Sequence, residues 1–320
     1  MKYLVYDIGG SFVKYGLIQA NDVVTSSDEI IDKGKFETPA DDKEMFINEI
    51  KSIYNKYKDS VVGIAISMPG KIDVFNGYAH SAGVLDYLER INIVDLFHEF
   101  TDLPVAVEND GKCAALAESW FGSLKDVESG MALVFGTGVG GGLVFNNRLY
   151  RGFNSIAGEF SFVYNQNGSG EPNYLGVDGS VSSLVRIVEK EMDLVEGTLD
   201  GEKVFAMINE KDPIGETALI KYCDGIVPHL MNFQHIIDPE KISIGGGISE
   251  QKVFIDCLKE RIEHLIISNV PYYLAKPTIV QSKFRNDANL MGALANFHLN
   301  KIKKIDKQVE VIAGNEMNKE

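Results

Sequence analysis

Cysteine is scarce and scattered. Cys113, Cys223 and Cys257 are odd in number and include no CxxC pair, which speaks against a disulfide framework and against a thiolate zinc site. A reducing compartment is the simpler reading. Positive charge is also in short supply: 31 Lys and Arg against 46 Asp and Glu leave a formal charge of −15. Nucleic-acid backbones and anionic membrane surfaces both call for a basic face, so neither is expected as a partner. Long apolar runs are missing as well, with no stretch of about 18 apolar residues anywhere. The segment Met1 to Gly10 is too short for a signal sequence and carries Asp7 in its middle, so a soluble, cytoplasmic protein is expected. His80, His98, His229, His235, His264 and His298 form no HExxH and no close pair. No GxxxxGK[ST] phosphate loop occurs.

Glycine is the residue in excess, 31 in 320 against an average of about 7%. Its placement matters more than its number. The apolar stretch Tyr3–Tyr6 reads as a buried strand, Val13–Ile18 as a second and Asp22–Ser26 as a weaker third. A helix is predicted from Asp42 to Lys56 and a strand over Val61–Ile66, closed by the turn Met68-Pro69-Gly70. Val105–Val107 leads through Glu108-Asn109-Asp110 into a helix over Gly111–Trp120. The theme then restarts. Met131–Phe135 is a strand, a glycine-rich turn follows, and Gly142–Phe145 pairs with Leu149–Arg151 across Asn146-Asn147. Helices over Val181–Met192, Ala218–Ile236, Val253–Ile266 and Ala288–Lys301 alternate with strands at Lys241–Ile244 and Thr278–Gln281. Each half therefore predicts a mixed sheet covered by helices. The expected division is 1–121, 122–287, a helix at 288–304 that rejoins the first domain, and a tail over 305–320.

The chemistry concentrates at strand ends. In Asp7-Ile8-Gly9-Gly10-Ser11, two glycines let backbone N–H groups approach a phosphate, Ser11 adds a hydroxyl and Lys14 a cation. Asp7 could hold magnesium through water. An ordinary hairpin turn with an Asp accepting backbone N–H groups explains the same residues. A second cluster, Gly136-Thr137-Gly138 through Gly142, departs from the dinucleotide fingerprint because a strand follows it rather than a helix. The third, Gly245-Gly246-Gly247, ends a strand where flat backbone can lie against a base or ribose. Two such turns in different halves would face each other across a cleft and clamp a polyphosphate. Asp110 at its junction suits a helix cap and equally a general base for an attacking hydroxyl, and both can hold if Asn109 does the capping. Glu159, inside Ile156-Ala157-Gly158-Glu159-Phe160, suits acceptance of hydrogen bonds from a sugar, or plain solvation.

These motifs, with Met68-Pro69-Gly70, Ala114–Glu118 and Arg151-Gly152, resemble in order and over nearly the whole chain the ROK (repressor, ORF, kinase) family of sugar kinases. The resemblance implies the actin-like ATPase fold of two α/β, ribonuclease-H-like domains with a cleft between them, a homodimer, and phosphorylation of a hexose hydroxyl, usually the 6-OH, by ATP with Mg2+. It makes Asp110 the catalytic base. Asn109, Glu159, Gly70 and Gly83 match sugar-binding segments, and Asp7, Gly9, Gly10, Ser11, Lys14, Gly136, Thr137, Gly138, Gly246 and Gly247 match the nucleotide site. Ser11 stands where the family more often has Thr. Phe162 occupies the zinc-histidine position and Val163–Gly179 lacks cysteine, so no zinc is expected. The second sugar-binding glutamate has no clear counterpart in Leu175-Gly176-Val177-Asp178-Gly179. This pattern is similar to the family's β-glucoside kinases, ranking a glycoside beside free glucose. An N-acetylmannosamine kinase, a fructokinase and a catalytically silent sugar-binding regulator are the alternatives. The family's DNA-binding arm precedes the first glycine motif, which here begins at residue 7.

Overall fold

The computed structural model describes residues 1–21, 29–39, 41–166, 172–269, 275–284 and 287–300. The chain divides into two compact units, one of Met1–Trp120 with the described residues from Asp287 on, the other of Phe121–Asn286.

In the first unit, β1 (Lys2–Ile8), β2 (Phe12–Gln19), β3 (Glu29–Glu37), β4 (Ile64–Met68) and β8 (Val105–Asn109) form one sheet in the order β3-β2-β1-β4-β8. The chain between β4 and β8 adds a small sheet of β5 (Ile72–Asp73), β6 (Tyr78–Ala79) and β7 (Ile91–Asn92). Tyr3 to Ile8 are all buried because β1 is central, paired antiparallel with β2 and parallel with β4; a strand covered on both faces has no need of polar alternation. Strand β3 lies beyond the predicted third strand, whose residues Asp22–Ser26 fall outside the described ones. Its charges at Asp32, Lys33 and Lys35 hid it from hydropathy, and such charges protect an outer strand from unwanted pairing. Helix α1 (Lys43–Tyr57) starts where Asp42 accepts the Met45 N–H at 2.8 Å. After α2 (Ile93–His98) and β8 comes α3 (Asp110–Phe121). A terminal helix over residues 288–300 returns to this unit. There Phe297 packs on Tyr3 with ring centres 5.4 Å apart. Gly292 lies so close that a Cβ would stand 1.7 Å from the Cys113 carbonyl oxygen.

The second unit repeats the topology. Its sheet runs β11-β10-β9-β14-β15, from β9 (Ser129–Phe135), β10 (Val139–Phe145), β11 (Arg148–Tyr150), β14 (Lys241–Gly245) and β15 (Ile279–Gln281). As in the first sheet, three antiparallel strands are followed by two parallel ones. Asn146 and Asn147 sit at φ 50° and 58° in the β10–β11 turn, as the hairpin reading requires. Between β11 and β14 come the short pair β12 (Tyr164–Gln166) and β13 (Pro172–Tyr174), then α4 (Leu175–Asp178), α5 (Val181–Glu191), α6 (Gly201–Asn209) and α7 (Pro213–Ile237); α8 (Lys252–Asn269) follows β14. Each unit has its own apolar core, one around Leu4, Tyr6, Ile64 and Ile66, the other around Leu133, Phe135, Tyr222 and Phe254. Among the described residues, no helix is long and apolar enough to cross a membrane.

Candidate active site

Three parallel strand ends of the first unit lie side by side. The register pairs Asp7 with Ser67 and Met68 with Asn109, so Asp7, Gly70 and Asn109-Asp110 share the carboxyl edge of one sheet. Open α/β sheets bind ligands outside this edge. Asp7 is buried, and its Oδ1 accepts from the Ser67 hydroxyl and from the Asn289 amide, each at 2.9 Å. The Lys14 ammonium stands 3.7 Å from the other oxygen, Oδ2. The turn that follows is closed by Gly9 N–H donating to the Phe12 carbonyl at 3.0 Å. Thr38 braces it, its hydroxyl donating to the Gly9 carbonyl at 2.6 Å and its N–H to the Ser11 carbonyl at 3.0 Å. Gly10 and Ser11 are exposed at the tip.

Asn109 caps α3, its Oδ1 accepting from the Lys112 N–H at 3.1 Å while its Nδ2 donates to the Gly70 carbonyl at 3.0 Å. Gly70 has φ 100°, and a Cβ there would lie 2.1 Å from the Ser81 carbonyl oxygen, so only glycine fits. Asp110 begins the helix, with Oδ1 accepting from Gly111 N–H at 2.7 Å. Burial, with Glu108, Asp7 and Asp110 nearby, pushes the Cys113 thiol well above its ordinary pKa. Gly83 belongs to the same neighbourhood, since its Cβ would meet Pro69 at 3.1 Å.

In the second unit, pairing of β9 with β14 brings two glycine turns together. Gly246 has φ 85°, and a Cβ there would come within 2.0 Å of the Phe135 carbonyl, directly before Gly136. Around Gly136 and Gly247 a Cβ would meet nothing within 4 Å, and Thr137 is exposed. The Gly136 N–H donates to the Gly138 carbonyl at 2.9 Å and closes the turn, so the N–H groups this turn can offer an anion are those of Thr137 and Gly138. Glu159 is half-buried just ahead of a 3-10 turn, Phe160–Phe162. Gly158, at φ 84°, holds it against β10, where a Cβ would stand 3.0 Å from Gly142 Cα.

The structure thus assembles the predicted residues into two groups. Asp7, Gly9, Gly10, Ser11, Lys14, Gly70, Gly83, Asn109 and Asp110 belong to the first unit, and Gly136, Thr137, Gly138, Glu159, Gly246 and Gly247 to the second. Sequence reading missed the supports Ser67, Thr38, Asn289 and Ser161. Phe162 is exposed and carries no metal-binding atom. Among the described residues no group of three or more His, Cys, Asp or Glu side chains is placed to hold a metal ion.

Comparison with known proteins finds sugar kinases. The chain is 32% identical over 304 residues to the β-glucoside kinase of Listeria innocua, covering 93% of this chain and 97% of that one. It is 28% identical over 317 residues to the glucokinase of Halalkalibacterium halodurans, with 91% and 93% covered. Among solved structures, a ROK family protein from Streptococcus pneumoniae TIGR4 in complex with sucrose superposes with a TM-score of 0.83 at 27% identity, over 95% of this chain and all of that one. That likeness gives the actin-like ATPase fold. The sequence profile of the ROK family matches residues 4–299, and the chain belongs to that family.

Proposed function

We propose that this protein is an ATP-dependent sugar kinase acting on the 6-hydroxyl of a hexose or β-glucoside, with Asp110 as general base. The observation that carries this reading is the division of labour at α3. Asn109 supplies the cap oxygen to the Lys112 N–H, while the Asp110 carboxylate, on the strand edge with Asp7 and Gly70, accepts from the Gly111 N–H beside it. Each unit has strand ends that fit a nucleotide: in the first, Gly10 and Ser11 are exposed at a braced tip, and in the second, Gly136 and Gly247 are open. Asp7 offers a hard carboxylate oxygen of the kind magnesium prefers.

In this mechanism Asn109 and Glu159 hold sugar hydroxyls by hydrogen bonds. Asp110 accepts the proton of the 6-hydroxyl as its oxygen attacks phosphorus, so the new P–O bond forms as the bond to the leaving diphosphate breaks. Bound ATP with Mg2+ supplies the phosphoryl group and the charge that neutralises it. The N–H groups of Gly10 and Ser11 in the first turn and of Thr137 and Gly138 in the second, with Lys14, stabilise charge on the transferring oxygens, the Gly9 and Gly136 N–H groups being used to close the turns themselves. These residues need no zinc.

Support for a substituted sugar comes from the relatives. The Listeria innocua protein is named for β-glucosides, and sucrose in the pneumococcal structure is itself a glycoside. In this chain the exposed Phe162 gives an apolar, uncharged face close to Glu159. Magnesium as the counter-ion, a cytoplasmic location and a homodimer complete the proposal, the location supported by the three free cysteines and the dimer by the family resemblance alone.

ADP release measured side by side with glucose, cellobiose, N-acetylmannosamine and fructose tests the reading. Turnover is expected with glucose or cellobiose, whereas silence with all four would mean a sugar-binding regulator. Asp110→Asn is expected to lower kcat by orders of magnitude while sugar binding survives. Near-normal turnover in that variant would remove Asp110 from its role.

A further inference from the structure

Ser161 is a hydroxyl that no part of the proposed chemistry uses, yet it is gripped on three sides. Its Oγ accepts from the Val139 N–H at 2.9 Å and lies 3.1 Å from the Val139 carbonyl oxygen, to which it donates. Val139 is fully buried and directly follows Gly138, so this hydroxyl serves both backbone groups where the Gly136–Gly138 turn enters β10. On the turn side, a Cβ at Gly138 would stand 2.8 Å from Ser161 Oγ. A Cβ at Gly176 would likewise stand 2.8 Å from both Cβ and Oγ of Ser161. Two glycines therefore make room for one serine.

Ser161 is two residues past Glu159, and the intervening turn is stiff. Phe162 N–H donates to the Glu159 carbonyl at 3.1 Å, and Phe160 is buried against Phe233 with ring centres 5.1 Å apart. Gly158, immediately before Glu159, abuts Gly142. Glu159 is thus pinned to β10 on both sides, by Gly158 at one point of the strand and by Ser161 at Val139, the residue where the glycine turn ends. A displacement of the turn must move Ser161 or break its hydrogen bonds, and a buried Val139 N–H left without a partner is costly.

We propose that Ser161 is a positioning residue that ties the carboxylate Glu159 to the Gly136–Gly138 turn, so that nucleotide bound at the turn orders the sugar-binding segment. The inference rests on the sugar-kinase reading above for the roles of the two partners, and the tie itself is a property of the chain. Coupling of this kind needs a contiguous element that both sites bias, and here Ser161 is the side chain of that element that bonds at the end of the turn.

Hydrogen exchange with and without AMPPNP and Mg2+ tests it. In the wild-type protein, nucleotide is expected to protect residues 136–142 and also 156–163. In Ser161→Ala, protection at 136–142 persists, protection at 156–163 is lost, and the Val139 amide of the free protein exchanges about five- to tenfold faster, the weight of one buried hydrogen bond. Ser161→Thr, which keeps the hydroxyl, is expected to restore part of the transfer. In turnover assays the alanine variant raises KM for sugar more than it lowers kcat. Transfer that survives intact in Ser161→Ala overturns the proposal. So does wild-type protection that stays within 136–142, an outcome that needs no variant to fold. Wild-type protein unprotected at 136–142 would instead overturn the nucleotide assignment of that turn, and this inference with it.

Discussion

His229 is buried in α7 with both ring nitrogens lacking a hydrogen-bond partner. Burial holds its pKa below the ordinary value, and the Asp178 carboxylate opposes this only in part. The unfolded chain, with a histidine pKa of about 6.5, therefore takes up a proton before the folded one does. The stability tied to neutral His229 is fully present above that pH and is lost as pH falls through the lower folded value. Thermal unfolding between pH 7.5 and 5.5 should show a fall in Tm that is smaller in His229→Leu; equal falls would mean that other groups carry the dependence. Neighbouring glycines separate fold from function in the same way. Gly246→Ala must push a methyl into the Phe135 carbonyl at positive φ and should lower Tm by several degrees. Gly247→Ala, with open space around it, should keep stability within roughly 0.5 kcal/mol while weakening AMPPNP binding. Residues such as Asp7, Asp110 and the glycines could be read from the sequence because carboxylates and glycines at strand ends are unusual on local grounds. Ser67 and Asn289 could not be, since they meet Asp7 across 60 and 282 residues, and no periodicity marks a lone hydroxyl or amide.

At the scale of elements, periodicity found those with one apolar face and overlooked those made by other means. The predicted helix over Ala218–Ile236 begins earlier, at Pro213. Asp212 accepts from the Ile214 and Gly215 N–H groups at 2.9 and 3.0 Å, and Pro213 opens the first turn. An Asp-Pro pair signals that start, and it outranks the first clear apolar repeat. Asp212→Ala should cost about 1 kcal/mol by denaturant titration, and no change would mean that tertiary packing alone sets the helix start. Helix α2 is only six residues long and α6 nine, too short for a repeat to stand out from its surroundings. The short pairings β5–β7 and β12–β13 involve two or three residues per strand and are decided by loop contacts rather than by composition.

Across the whole molecule, the glycine-rich hairpin followed by alternating helices and strands was legible twice over, and both sheets have the same strand order. The return of the last helix to the first domain was expected from the sequence, though not from periodicity, since an amphipathic helix can cover any apolar face. It covers the first sheet's unit: Phe297 lies on Tyr3, a Cβ at Gly63 would meet the Phe297 ring at 2.5 Å, and Asn289 holds Asp7. A chain cut after residue 286 should therefore lose exchange protection in residues 2–8 and bind AMPPNP poorly, whereas retained protection would show that β1 stands without this cover. The same connection bears on synthesis. Asp7 leaves the ribosome among the first residues and waits for a partner 282 positions later. A nascent or prematurely terminated chain thus carries the glycine turn without the amide that fixes its carboxylate, and fragments of this protein are not expected to draw on cellular ATP.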